Sequence, residues 1–124
     1  MRIFISYAHA DRLRAAEVKS VFDDVGFDSF MAHEDIGVSL VWRDEIIKQL
    51  QLSDAVVCLF SENFYNSHWC LQESGIAGYR HDHENIGLIL LSLDGKVSPG
   101  CLNHLQSPRI RGTQVAWADL APGL

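Results

Sequence analysis

The feature that most constrains the fold of this chain is a continuous apolar run, Ala55-Val56-Val57-Cys58-Leu59-Phe60, with Asp54 and Ser61 on either side. A strand with one face in water alternates apolar and polar side chains, whereas an unbroken apolar run of this length is typical of a strand covered on both faces. Strands of that kind lie inside parallel sheets. We therefore expect this segment to be central in an α/β fold.

The rest of the sequence alternates between strand and helix patterns. Short apolar segments predict strands at 2–6, 27–31 and 86–93, and apolar residues at helical spacing predict helices at 11–25, 42–50 and 67–80. A weak final strand is predicted at 114–117. Because neighbouring parallel strands need crossover connections, the pattern predicts a three-layer α/β fold, with a five-stranded parallel sheet and helices on both faces.

Size and composition limit the function classes. A chain of 124 residues fits one domain, expected at 1–124. The formal net charge of −6 provides no basic surface for nucleic acid. No apolar run approaches the roughly 20 residues that cross a membrane, and no signal peptide is evident at the N-terminus. We expect a cytoplasmic protein with no nucleic-acid or membrane partner.

Conventional cofactor motifs are missing from the sequence. It contains neither GxGxxG nor GxxxxGK[ST], and Cys58-Leu59-Phe60-Ser61 stands where a receiver domain carries its phospho-accepting aspartate. Three cysteines without a CxxC pair argue against a disulfide framework and a cysteine zinc site. His81 and His83 are two residues apart and would point to different sides of a helix, so we predict no metal site.

A carboxylate in an aromatic setting is the strongest candidate for chemistry. The run Ser67-His68-Trp69-Cys70-Leu71-Gln72-Glu73 places Glu73 one helical turn after Trp69, so both side chains share a helix face. Ligands of open parallel sheets bind beyond the carboxyl ends of the strands. The residues expected at that edge are Ser6, Tyr7, His9, residues 32–34 and residues 61–73. A catalytic acid and an ordinary solvated helix acid are both compatible with Glu73.

Three segments together resemble a Toll/interleukin-1 receptor (TIR) domain, most closely of the bacterial type. They are Ile3-Phe4-Ile5-Ser6-Tyr7-Ala8-His9-Ala10-Asp11, Ala32-His33-Glu34-Asp35-Ile36-Gly37-Val38-Ser39, and the run that ends at Glu73. The resemblance implies a flavodoxin-like fold. Because many bacterial, plant and some animal members cleave NAD+, it also implies an NAD+ nucleosidase.

The resemblance assigns roles to individual positions. Glu73 matches the catalytic glutamate, and the residues implied to bind substrate are Ser6, Tyr7, Ala8, His9, Phe30, Ala32, Ser39 and Trp69. The loop that begins at Ala32 and ends at Leu40 matches one that closes over ligand and joins neighbouring domains. The chain departs from some members at His9 and Ala10, where they carry basic residues.

The function implied is that of an NAD+ glycohydrolase or cyclase. It would release nicotinamide and form ADP-ribose or a cyclic ADP-ribose-type signal, with NAD+ as substrate and no cofactor. Activation by self-association, a place in bacterial antiviral defence signalling and a position as the N-terminal part of a longer sensor or effector protein are further implications of the resemblance. The alternative is a non-catalytic adaptor module that only associates with other TIR domains; adaptors commonly lack the glutamate that stands here at Glu73.

Overall fold

The computed structural model describes residues 1–31, 40–94 and 115–124. In chain order they form β1 (Arg2–Ser6), a 3-10 helix (His9–Asp11), α1 (Arg12–Asp24), β2 (Asp28–Met31), α2 (Leu40–Leu52), β3 (Ala55–Phe60), α3 (Glu62–Tyr65), α4 (His68–Glu84), β4 (Gly87–Ser92), α5 (Trp117–Leu120) and a last 3-10 helix (Ala121–Gly123). Strands and helices alternate as the sequence predicts.

The described strands form one parallel sheet in the order β2-β1-β3-β4. The central position expected for the apolar run is confirmed, because β3 lies between β1 and β4 and all six of its residues are buried. From β1 the chain crosses to β2 on one side and then returns to β3 on the other. The gap between β1 and β3 is therefore the topological switch point, where ligands of such sheets bind.

The expected fifth strand is not confirmed. The sheet has four strands in the described part of the chain, and Trp117 begins α5 instead of ending a strand. The carboxylate of Asp119 accepts a hydrogen bond from the backbone N–H of Ala116 at 3.0 Å. This bond satisfies a backbone donor at the helix start, and that local interaction favours a helical turn over an extended strand at 117.

The sheet separates two apolar cores, because successive residues of a strand point to opposite faces. The core that we call the α4-side core is built from Phe4, Ala8, Ile46, Leu50, Val56, Cys58, Phe60, Phe64, Cys70, Ala77, Ile86 and Leu90. The α1-side core contains Ile3, Ile5, Tyr7, Ala15, Val18, Phe22, Ala55, Val57, Leu59, Ile89, Leu91, Val115 and Leu120. Helices thus cover both faces, as expected.

Two helix ends are set by residues in the left-handed backbone region. Gly26, with φ of 82°, follows α1 at a position that suits a residue without a Cβ. Asn85, with φ of 58°, ends α4. This helix continues one turn beyond the predicted end near residue 80, so Arg80 and His81 lie inside it. The side chain of Arg80 reaches the end of α2.

Candidate active site

The carboxylate of Glu73 lies in the protein interior beside the end of β1. Ser67 caps α4 by accepting a hydrogen bond from the Cys70 backbone N–H at 3.2 Å, which starts the helix where the sequence predicts. The Oγ atom of Ser6 donates a hydrogen bond to Oε1 of Glu73 at 3.0 Å. Glu73 is 2% exposed and Ser6 is fully buried. The structure therefore brings these two predicted site residues into direct contact.

The thiol of Cys58 is a third buried group at this point. Cys58 is the register partner of Ser6 on the neighbouring strand, so both side chains lie on the α4 side of the sheet. Burial raises the pKa of the Cys58 thiol, and the negative charge of Glu73 raises this pKa further. The thiol is consequently neutral at physiological pH. The sequence placed Cys58 in the apolar run expected to be covered on both faces, and the strand register reveals its proximity to Glu73.

Trp69 occupies the first turn of α4 and packs, partly buried, against the α4-side core. Its indole Nε1 atom is buried and has no hydrogen-bond partner among residues 1–31, 40–94 and 115–124. Buried indole N–H groups usually donate to an acceptor. A ligand that entered beside Trp69 would be able to supply that acceptor.

The predicted residues after Ser6 lie in different environments. Ala8 is buried in the α4-side core, on the same side of the sheet as Glu73. Tyr7 is 1% exposed and belongs to the α1-side core on the opposite side. His9 is exposed in the 3-10 helix. Ala8 is therefore on the side of the sheet that holds Glu73, and Tyr7 is on the other side.

Phe30 is half-buried on β2 and stacks on Phe4 with a centroid separation of 5.6 Å. It also lines a cavity of about 270 Å³ between α2 and the β1–β2 pair, together with Arg2, Ile3, Asp28, Ser29, Gln49 and Ser53. Glu73 does not line this cavity. We therefore do not assign the cavity to the candidate active site. Ala32 and Ser39 lie outside the described residues.

A polar bridge that sequence reasoning missed joins the segments after β1 and β3. The hydroxyl of Ser61 donates to Oδ2 of Asp11, and the amide of Asn63 donates to Oδ1 of Asp11 at 3.3 Å. Ser61 Oγ also accepts from the backbone N–H of Phe64. The bridge spans the switch point. In the sequence, the polar residues Asp11 and Ser61 stand just before α1 and just after β3. Their proximity follows only from the strand order, which makes β1 and β3 neighbours.

The histidines near the end of α4 have other partners. The Nδ1 atom of His81 hydrogen-bonds with the carbonyl of Ile86 at 2.8 Å, and the ring of His83 lies against Tyr79 with centroids 4.4 Å apart. Among the described residues, no three metal-ligating side chains are grouped closely enough to hold an ion. The two histidines thus contribute to the surface and end of α4.

Comparison with models of known protein families shows to which family the chain belongs. The family model for the TIR domain matches residues 3–122. This protein belongs to the TIR domain family. The match spans β1, the segment to Glu73 and α5, and the resemblance identified from the sequence is confirmed. A comparison with curated proteins found no match.

Solved structures support the fold of this TIR domain. The TIR domain of the Toll-related receptor TRR-2 from Hydra magnipapillata has a TM-score of 0.68 and 18% identity, over 97% of this chain and 88% of that one. The TIR domains of the activated Roq1 resistosome, which directly recognises the effector XopQ, have a TM-score of 0.64 and 21% identity, over 77% of this chain and 58% of that one. At these identities the likeness concerns the fold.

A third structure of similar fold is an enzyme. The 2-deoxyribosyltransferase from Bacillus psychrosaccharolyticus, a biocatalyst for nucleoside synthesis, has a TM-score of 0.59 and 16% identity, over 80% of this chain and 77% of that one. The described helices of the TIR domain include none that is both long and apolar enough to cross a membrane.

Proposed function

We propose that this TIR domain cleaves the bond between nicotinamide and ribose in NAD+, with Glu73 as the catalytic residue. The observation that carries the proposal is the buried carboxylate of Glu73, oriented by Ser6 at the carboxyl end of β1. This is the position where open parallel sheets bind ligands. The fold is also that of a 2-deoxyribosyltransferase, and thus accommodates chemistry at a nucleoside sugar.

One carboxylate is sufficient for this reaction. Nicotinamide is a pyridinium in NAD+, so the electron pair of the ribosyl–nitrogen bond neutralises the ring as it departs and no proton donor is required. Ordinary glycoside hydrolysis needs two carboxyl groups because an oxygen leaving group must be protonated. Glu73 would stabilise the positive charge that develops on the ribose, an effect that is stronger in a buried site than in water.

The second reactant determines the product. Attack of water on the ribosyl carbon gives ADP-ribose and a proton, whereas attack by an atom of the same molecule gives a cyclic nucleotide. Trp69, with its buried indole N–H, is the described residue best suited to contact the departing base. We propose hydrolysis or cyclisation of NAD+ as the class of reaction. A role in bacterial antiviral signalling is proposed from the family resemblance.

The burial of Glu73 supports activation by self-association. At 2% exposure, the carboxylate is reached by a dinucleotide only after neighbouring groups move. Contact with a second TIR domain through the loop from Ala32 to Leu40 is the proposed trigger. Catalysis would then rise more steeply than protein concentration, because the active species contains more than one chain.

The test is nicotinamide release from NAD+ by Glu73→Gln. We expect turnover to fall by about 10²-fold or more, the loss typical when a group that stabilises transition-state charge is removed. Glu84→Gln is the matched control, because Glu84 lies on the same helix and its side chain is 50% exposed. Both variants and the parent are assayed in dilute and concentrated solution. Parent-level turnover by folded Glu73→Gln would refute the catalytic role and favour an adaptor.

A further inference from the structure

The buried face of α4 is made of small residues. Apart from Glu73, its buried members are Cys70, Ser74, Ala77 and Gly78. Large side chains fix one helix against its neighbours by fitting ridges into grooves, whereas a smooth face permits close approach with less resistance to sliding or rotation. The position of α4 on the sheet therefore depends on polar contacts in addition to the packing of its partly buried side chains Trp69 and Ile76.

Arg80 supplies such a contact two helical turns after Glu73. Its side chain is only 15% exposed. The Nη1 atom donates to the carbonyl oxygen of Leu50 at 2.7 Å and to that of Ser53 at 3.0 Å, while Nε donates to Glu84. The Leu50 carbonyl lies in the last turn of α2, where carbonyls lack helical partners and a positive charge is favourable. Arg80 thus ties α4 to the end of α2.

The segment from Leu50 to Ser53, whose carbonyls accept hydrogen bonds from Arg80, is itself fixed to the sheet. Asp54, next to Ser53, accepts a hydrogen bond from the Arg2 backbone N–H through its carboxylate at 2.8 Å and donates its own N–H to the Arg2 carbonyl at 2.8 Å. The Gly87 N–H donates to the Asp54 carbonyl at 3.0 Å. Arg80 is therefore anchored near the start of β1, whereas Glu73 meets Ser6 at its end.

The two anchors have comparable separations along α4 and along β1. Seven helical residues from Glu73 to Arg80 rise about 10 Å and return to the same helix face, and the four steps of β1 from Arg2 to Ser6 span about 13 Å. Two polar contacts on one face, added to the apolar packing of α4, restrain both its axial position and its rotation.

We infer that Arg80 is a positioning residue for Glu73, which holds α4 so that the carboxylate meets Ser6 at the switch point. The kinetic consequence rests on the proposed function, but the structural consequence does not. Arg80 lies far from the reacting atoms in this arrangement and acts only through the helix. Misplacement of a catalytic group by about 1 Å is enough to cost up to 10²-fold in rate.

The kinetic test compares Arg80→Met, Arg80→Lys and Glu84→Gln. We expect kcat to fall about tenfold or more in Arg80→Met with KM nearly unchanged, and to recover substantially in Arg80→Lys, which keeps a donor for the α2 carbonyls. Glu84→Gln keeps both carbonyl contacts and should resemble the parent. Val18→Ala, in the α1-side core, controls for general destabilisation and should retain kcat.

Amide hydrogen exchange provides a readout that needs no activity. In Arg80→Met we expect the protection factors of amides 70–77 to fall at least about tenfold. In Val18→Ala we expect the protection of these amides relative to the other amides of the protein to stay unchanged. Loss of protection confined to 79–84 and 50–53 would overturn the inference. If the exchange result holds but the parent does not cleave NAD+, the proposed function alone fails. If the parent is active, Glu73→Gln is not, and Arg80→Met keeps parental kcat, the Arg80 inference alone fails.

Discussion

At the scale of single residues, Ser6 connects the core strand β1 to the carboxylate on α4. Its hydroxyl is fully buried and donates to Glu73 at 3.0 Å. The family resemblance implies that Ser6 contacts substrate, whereas the observed bond gives it a role in orienting Glu73. Ser6 can have both roles if the ligand enters beside Ser6 and Glu73. The two roles differ in kinetics, because orientation of Glu73 affects kcat and contact with substrate affects KM.

Replacement of Ser6 by alanine should lower kcat more than it raises KM. The buried carboxylate loses a donor, so we also expect the free energy of unfolding to fall by about 1–3 kcal/mol. Urea unfolding and steady-state kinetics measure the two effects. Ser74→Ala is the matched control, since this buried hydroxyl donates to the Leu71 carbonyl of its own helix at 2.8 Å. A large KM effect with unchanged kcat would instead assign Ser6 to substrate binding.

At the scale of secondary-structure elements, the loops at the carboxyl edge of the sheet are tied to one another. Asp11 binds Ser61 and Asn63 across the switch point, and Asp94 after β4 accepts a hydrogen bond from the Glu62 backbone N–H at 2.9 Å. These contacts join the segments that follow β1, β3 and β4. The surroundings of Glu73 are thus shaped by loop-to-loop bonds as well as by helix packing.

Asp11→Ala should free the segment after β1 from the segment after β3. Hydrogen bonds to a charged acceptor contribute more than neutral ones, and we expect a loss of about 1–3 kcal/mol in the free energy of unfolding. Asp24→Ala is the control, because Asp24 is exposed at the end of α1. Chemical denaturation of both variants checks the difference. Equal stabilities would show that the Asp11 bridge contributes nothing to the fold.

At the scale of the whole molecule, burial and periodicity made the layers predictable from the sequence. The unbroken run Ala55–Phe60 indicated a central strand, and Ser67 marked the start of α4. The fifth strand is not confirmed, and a local cap at Ala116 favours a helix at 117. The environments of Ser6 and Tyr7 were not distinguished. Alternation along a strand places neighbours on opposite faces, but which face α4 covers depends on the tertiary fold. The Arg80–Leu50 contact joins residues 30 positions apart, and no local pattern indicates it.

The whole fold should become more stable when the charge of Glu73 is removed. A buried carboxylate loses its hydration, and functional sites are often kept at the expense of stability. We expect Glu73→Gln to gain on the order of 1 kcal/mol in the free energy of unfolding, whereas Glu84→Gln gains little because the Glu84 side chain is half exposed. Urea unfolding at neutral pH measures both. A clear loss in Glu73→Gln would show that the hydrogen bond from Ser6 to the carboxylate contributes more to stability than burial of the charge costs.

The strand order also determines when the site can form during synthesis. β1 can pair with β2, the next strand to be made, before β3 is available for its other edge, where Ala55 lies opposite Ile3. Until β3 is made, the backbone N–H and C=O groups at that edge of β1 lack a strand partner, and Ser6 has no carboxylate to meet before α4 emerges. Chaperone occupancy on nascent chains should therefore be greatest between the completion of β2 and the emergence of α4.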